Sequence, residues 1–255
     1  MEVMSVYYFG GQCPWNSWAI GEAKKAAGEL GMAVRELDIS HGTADIDLYF
    51  PFTIALEELK IAGPVPAKRL VEIIQSRGNL GFIELYKAAP NGSCTSVIPY
   101  SQGTFTDACG ICTNGSYFGL EEKKGWISKL DLQHTPLVGA VGYSGDKPVA
   151  FCEAIPSLES SYAIAAESET AFITCIYNGM SEEFDYRADL FGFLFRELKY
   201  LGYSKVNVLA GIRSPFPNGP EQFFREHGFE RIRKIPGTVV FQSGADEIVL
   251  LSKEI

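Results

Sequence analysis

No run in this chain is long and apolar enough to span a bilayer, and the opening MEVMSVYYFGG lacks the basic start and apolar stretch of a secretory signal. A basic face is also missing: 22 Lys and Arg stand against 31 Asp and Glu, for a net charge of −9. Nucleic acid and an anionic membrane are therefore not expected as partners, and the cytoplasm is the expected location. Six cysteines in 255 residues are too few for a disulfide scaffold. Neither a low-complexity segment nor an internal repeat is evident. What remains is 46% hydrophobic and 21% charged residues, an ordinary globular balance. That length suffices for one large domain or two small ones, each with a real core.

The chain changes its pattern near residues 75–81, QSRGNLG, which sets expected domains at 1–79 and 80–255. The first segment alternates strand and helix. SVYYFGG (5–11) reads as a strand, NSWAIGEAKKAAGELG (16–31) as a helix capped by Asn16 or Ser17 and stopped by glycine, and AVRELDIS (33–40) as a second strand. FTIALEEL (52–59) is a further strand, and PAKRLVEIIQS (66–76) is a helix opened by proline. A strand–helix–strand start implies two parallel strands joined by a right-handed crossover.

The second segment expects a strand at FIELYKA (82–88), a Gly-, Ser-, Thr- and Asn-rich loop to about Ser116, and a helix at LEEKKGWISKL (120–130). A hairpin follows, LVGAVGYS (137–144) and KPVAFCEAIP (147–156), turning at SGD. TAFITCIYN (170–178) is almost wholly apolar and so expected in the middle of a sheet. Phe191, Leu194, Phe195, Leu198 and Leu201 mark one helix face. KVNVLAG (205–211) is a strand and PEQFFREHG (220–228) a helix, while TVVFQ and EIVLLSK would close a hairpin. Cys152 and Cys175, inside apolar strands, are expected as small core residues. The fold class is α/β with an α+β second half.

The first segment resembles a thioredoxin-like domain. YYFGGQCPWN resembles that family's first strand running into a Cys-Pro-x-x turn, and Pro51 stands where the family carries a cis-proline facing the cysteine. The second family cysteine is replaced by Asn16, so a dithiol cycle is ruled out within this motif. Cys13 is left with two readings: a low-pKa thiol at a helix N-terminus, redox-active or catalytic, or a structural residue in a binding domain.

The second segment is similar to the GNAT acyltransferases. GYSGDKPVAFCEAIP looks like the family's hairpin, FITCIYN like the strand beside the acetyl thioester, and EQFFREHGF like its late helix. ACGICTNGSYFGLEEKKGWISKL and SPFPNGPEQFFREHGF bring it closer to the YoaP-like proteins, which join a GNAT domain to a thioredoxin-like one. The implied fold is a mixed, mostly antiparallel sheet flanked by helices. The implied activity is transfer of an acyl group from acetyl-CoA to a small-molecule or protein amine, with a homo-oligomer left open. On this resemblance the cofactor-binding residues are Cys175, Ile176, Tyr177, Asn178, Phe184, Asp185, Tyr186, Arg187, Ala188 and Phe224, and Glu153 is the base, with Glu159 a second candidate.

The family's turn after that strand reads Gln/Arg-x-x-Gly-x-Gly/Ala, and its N–H groups hold the pyrophosphate. Here Glu183 takes the first place, Phe184 and Tyr186 the glycine places, and Ala188 alone fits. A carboxylate about 6 Å from one phosphate charge opposes binding by about 3 kcal/mol at an effective dielectric near 20. Phe224 holds the place of the proton-donating tyrosine. These departures support an alternative, a non-catalytic binding or regulatory protein on the same two folds.

Three further features stay open. Cys109 and Cys112, with Cys94 upstream, read as a zinc site needing His134 or His41, as a disulfide or redox pair, or as unpaired thiols; no metal is expected. His227 reads as a structural helix cap. Arg213, Ser214, Phe216 and Asn218 follow a strand end and stand within reach of a ligand.

Overall fold

In the computed structural model, residues 2–40, 46–87, 89–101, 103–179 and 182–255 are described. The first segment builds β1 (Val3–Tyr8), α1 (Asn16–Leu30), β2 (Ala33–Asp38), β3 (Phe52–Leu56), β4 (Leu59–Ala62) and α2 (Ala67–Gln75). β1 and β2 pair in parallel from Val3↔Ala33 to Tyr8↔Asp38, as the crossover requires. The buried face of α1 is Ala19, Ala23, Ala26 and Ala27, small side chains at helical spacing that let it lie close to the sheet. Gly31 ends it at φ 66, returning its N–H to the Ala27 and Gly28 carbonyls.

Local chemistry overrode two expectations. The residue before α1 is Trp15, with no side-chain cap; Asn16 lies inside the first turn and donates from Nδ2 to the Gly10 carbonyl at 2.9 Å. The run 52–59 is not one strand, because Glu57 takes a left-handed φ of 50 and turns the chain into the antiparallel β3–β4 hairpin. The cis peptide bonds among the described residues precede Pro217 and Pro220, so the expected cis bond before Pro51 is absent.

The second segment supplies β5 (Ser96–Pro99), α3 (Thr104–Cys112), α4 (Leu120–Leu132), β6 (Val138–Ser144), β7 (Lys147–Pro156), a 3-10 turn (Ser157–Glu159), β8 (Thr170–Asn178) and α5 (Arg187–Tyr200). After these come β9 (Lys205–Gly211), α6 (Glu221–Glu226), β10 (Glu230–Lys234), β11 (Val239–Phe241), β12 (Gly244–Asp246) and β13 (Ile248–Glu254). Seven strands form one sheet in the order β10-β13-β9-β8-β7-β6-β5, antiparallel except for β8 beside β9. Mixed sheets flanked by helices are thus the architecture of the chain.

Within FIELYKA, residues 82–87 form no strand, and residue 88 lies outside the described residues. Phe82 makes one bridge to Ala245, Phe82 and Leu85 are exposed, and the Tyr86 N–H goes to the Arg213 carbonyl. The strand and helix lie instead within the expected loop, as β5 and α3. TVVFQ does not pair with EIVLLSK either. β11 turns through Gln242 and Ser243 onto β12, and the hairpin joins the first sheet, giving the order β12-β11-β4-β3-β1-β2. The nearest complementary strand prevailed, while β13 fills the gap between β10 and β9. Residues 239–246 therefore tie the two sheets together from beyond the expected boundary near residue 80.

Alternation along β7 and β8 sorts the two faces of the larger sheet. Ala150, Cys152 and Ile176 face α5 and α6 in one core, with Leu190, Leu194 and Phe224. Phe151, Cys175 and Tyr177 face α3 on the other side. Farther along that second face, Phe172, Leu209 and Leu250 pack on Tyr7, Phe9 and Phe50 of the first segment. No helix among the described residues is long and apolar enough to cross a membrane.

Candidate functional site between the two sheets

β8 and β9 pair only from Thr170↔Lys205 to Ile173↔Val208 and then part. Beside the parting, the β7–β8 register shifts, Glu153 facing Cys175 and Ala154 facing Ile173, so Thr174 is an extra residue in a bulge. Two parallel strands that separate leave backbone donors and acceptors without partners. The side-chain amide of Asn218, 2% exposed, meets both edges: the Ile176 N–H donates to its Oδ1 at 2.8 Å and its Nδ2 donates to the Leu209 carbonyl at 3.2 Å. The loop carrying Asn218 is anchored by fully buried Asp246, which accepts N–H bonds from Arg213 and Ser214. Asn218→Ala leaves two buried backbone groups unpaired and is expected to cost about 1–3 kcal/mol, read as a lowered melting temperature. An unchanged melting temperature would mean the amide is not bridging the split.

In the described part of the turn that follows β8, three N–H groups already have acceptors. The Asp185 N–H goes to the Pro90 carbonyl, the Tyr186 N–H to Asn178 Oδ1 and the Arg187 N–H to Asp185 Oδ1. Asp185 and Arg187, 3% and 4% exposed, form a forked ion pair with Nη2 and Oδ2 2.7 Å apart. The guanidinium also donates to the Gly219 carbonyl at 2.8 Å and lies 3.9 Å over the Phe223 ring. Glu182 pairs with Lys147 at 2.6 Å, and the Tyr186 ring closes against Gly92. For a pyrophosphate held in the manner the resemblance implies, the N–H groups of Asp185, Tyr186 and Arg187 are already bonded, so these three residues do not fit that group. Arg187, the one cation in the turn, is already neutralised.

The other cofactor candidates scatter. Asn178 braces the turn by donating to the Phe184 carbonyl at 2.9 Å; Phe184 is exposed and Ala188 half-buried. Phe224 is fully buried against Phe191 and Phe229. Cys175 and Tyr177 point the other way and line a cavity of about 1000 Å³ between the sheets. Cys175 is thus a wall residue rather than the core residue expected from its strand, whereas Cys152 is buried as expected.

The cavity is bounded on one side by the Gln12–Asn16 turn and Phe50–Phe52, and on the other by α3, β7 and β8. Its walls are mainly apolar; Lys68, Arg69 and Glu72 are among its lining, and a buried ion pair stands on the side of α4 and β7. Lys123 Nζ lies 2.7 Å from Glu153 Oε1, donates to the Gln12 carbonyl at 2.7 Å, and stands 4.3 Å over the Trp126 ring. Tyr100 donates to Glu153 Oε2 and Thr174 Oγ1 to Oε1, both at 3.3 Å. Burial opposes the charge on Lys123, but the Glu153 carboxylate overcomes it and raises the lysine above its usual range. Burial, with the same carboxylate beside it, raises the Tyr100 phenol. Glu159 belongs elsewhere, in the 3-10 turn beside a separate small recess with Trp126 and Gln133.

Cys13 lines this cavity and is not the low-pKa thiol that a helix N-terminus suggests. Burial pushes it up to about 11, and the Trp15 N–H and Lys123 offset only part of that. Cys109 and Cys112, on one face of α3, line the same cavity, while Cys94 lies across the sheet, its N–H bonded to Asp189. No group of three or more metal-ligating side chains forms among the described residues. His41, one of the two histidines considered for zinc, lies outside the described residues. His227 donates from Nδ1 to the Phe223 carbonyl at 2.7 Å at the end of α6, as a cap does.

Sequence reasoning missed Lys123, Tyr100, Thr174 and Asp246. Lys123 sits in a run of charged helix residues that reads as a solvated face, and only tertiary packing turns it inward. The Asn218 loop was singled out for a ligand, and the structure spends its amide on the chain itself.

No family model and no curated protein matches the chain. Solved structures do. An N-acetyltransferase from Staphylococcus aureus Mu50 aligns with 62% of this chain and 97% of its own, at 11% identity and a TM-score of 0.48. The ribosomal-protein-alanine N-acetyltransferase from Brucella melitensis aligns with 63% and 99%, at 9% identity and a TM-score of 0.47. An aminoglycoside 6'-N-acetyltransferase solved with coenzyme A aligns with 63% and 97%, at 11% identity and a TM-score of 0.42.

Proposed function

We propose that this chain is a GNAT-type acyltransferase joined to a thioredoxin-like domain, and that its acceptor is an amine on an apolar body taken into the cavity between the sheets. The observation that carries the reading is the parting of β8 from β9 beside the Thr174 bulge, with the Glu153 carboxylate on the cavity side of that bulge. Apolar walls suit the body of such a ligand. Asn16 helps form the wall, and its buried Oδ1 accepts no hydrogen bond, which leaves an acceptor for an amine N–H.

A second reading, binding without acyl transfer, is favoured by the self-satisfied turn at 185–187. One experiment separates them. Thiol release from acetyl-CoA is followed with a panel of arylalkylamines, while amine binding is followed by calorimetry. Acyl transfer is expected only at coenzyme concentrations near or above ~1 mM, the upper end of ordinary KM values, because internal bonds must be displaced. A flat thiol trace with amine binding retained hands the site to the second reading. Loss of amine binding as well would remove both.

A further inference from the structure

The cavity wall brings together thiols that are far apart in sequence. The turn 11–15 and the segment 112–123 are held face to face by a set of close contacts. Trp15 Nε1 donates to the Cys112 carbonyl at 3.1 Å, and the Trp15 ring meets Phe118 edge-on at 4.5 Å between centroids. Lys123 donates to the Gln12 carbonyl at 2.7 Å. Two glycines permit the approach: a Cβ on Gly119 would collide with the Pro14 carbonyl, and one on Gly11 with that of Glu122. Cys13, two residues before Trp15, and Cys112, whose carbonyl takes the Trp15 indole N–H, are therefore brought to the same stretch of cavity wall, both unbridged.

We propose that Cys13 and Cys112 form a dithiol pair shared between the two domains, oxidised to a disulfide by a low-molecular-weight disulfide. The position three after Cys13 is Asn16, so the pair cannot close within the turn, and α3 supplies the second thiol instead. In the reaction the Cys13 thiolate attacks the small disulfide, forming a mixed disulfide and releasing one thiol. The Cys112 thiolate then displaces the second thiol. Two protein protons end on the two small thiols, and two electrons pass to the oxidant. The oxidised form ties the first domain covalently to α3 across the cavity.

The environment sets the rate and the lifetime of the bond. Burial pushes Cys13 up to about 11 and also raises Cys112, to which Cys13 adds. Thiols of this kind attack slowly at neutral pH, and as leaving groups they make the disulfide slow to reduce.

The test uses the full chain, reduced, freed of reductant, incubated with glutathione disulfide, alkylated and mapped by mass spectrometry. The expected product is a Cys13–Cys112 cross-linked peptide, formed about tenfold faster per pH unit between pH 7 and 9 as the thiolate fraction grows. Cys112→Ser is expected to stop at a Cys13 glutathione adduct, and Cys13→Ser to give no bridge to Cys112. The inference is overturned if Cys13 is found joined to Cys109 or Cys175, if the unsubstituted chain accumulates the glutathione adduct, or if all six thiols are recovered alkylated.

Discussion

Lys123→Met is expected to destabilise the chain by about 3–5 kcal/mol, because it leaves the Glu153 carboxylate buried without its cation. The two side chains are 7% and 3% exposed, so water does not take over the role of the missing partner. Tyr100 and Thr174 still donate to the carboxylate, which keeps the loss within that range. The Gln12 carbonyl loses its donor as well, so the damage reaches the contact between the Gln12–Asn16 turn and α4. Urea unfolding checks the value: the midpoint should fall with little change in slope. Lys123→Met with Glu153→Met should recover much of the loss, since burial of both charges is itself costly. A single variant less than about 1 kcal/mol below the parent would place the pair in solvent, as an ordinary surface bridge.

The pH dependence follows with its sign. The folded value of Lys123 lies above its ordinary one, so its contribution is fully present below the ordinary lysine range. It is lost as pH rises through the raised folded value, in strongly alkaline solution. The Lys123→Met variant should lack that alkaline loss and show the same deficit at every lower pH where Glu153 is charged.

Arg187→Met is expected to have the second large effect, again about 3–5 kcal/mol, by stranding Asp185 in a site where both partners are almost wholly enclosed. Three interactions go at once: the forked bond to Asp185, the bond to the Gly219 carbonyl and the contact with the Phe223 ring. A double-mutant cycle with Asp185→Asn isolates the pair, and a coupling well above 1 kcal/mol is expected for residues in contact. Additive losses would mean that Asp185 and Arg187 do not act on each other. The result bears on function too, since the pair occupies the turn that a pyrophosphate would need.

Much of the fold was legible because its signals are local. The parallel β1–α1–β2 unit, the SGD hairpin and the α5 face follow from periodicity and turn residues within a dozen positions, except that Leu201, expected on that face, lies just past the helix end and is exposed. The misses share a different cause. FIELYKA has strand composition but meets β12 only at Ala245, and α3 lies in a Gly- and Thr-rich stretch whose apolar residues, Phe105, Ala108, Cys109 and Ile111, show their common face only when the sheet covers it. At the site, Glu153 and the carboxylate-rich turn were visible as residue types, whereas the partner that neutralises each was not.

By itself the sequence determined which segments could become strands and helices, that the turn after β8 has no glycine, and that Cys13 has no second cysteine three positions on. Only the tertiary structure decided that Asn218 bridges the split strands, that Arg187 and Lys123 are enclosed with Asp185 and Glu153, and that α3 brings Cys112 to the wall Cys13 lines. The reason is range: propensity and turn chemistry act over a few residues, while the enclosure of charge and the meeting of thiols depend on surfaces brought together from distant parts of the chain, as when Lys123 meets the Gln12 carbonyl 111 residues away.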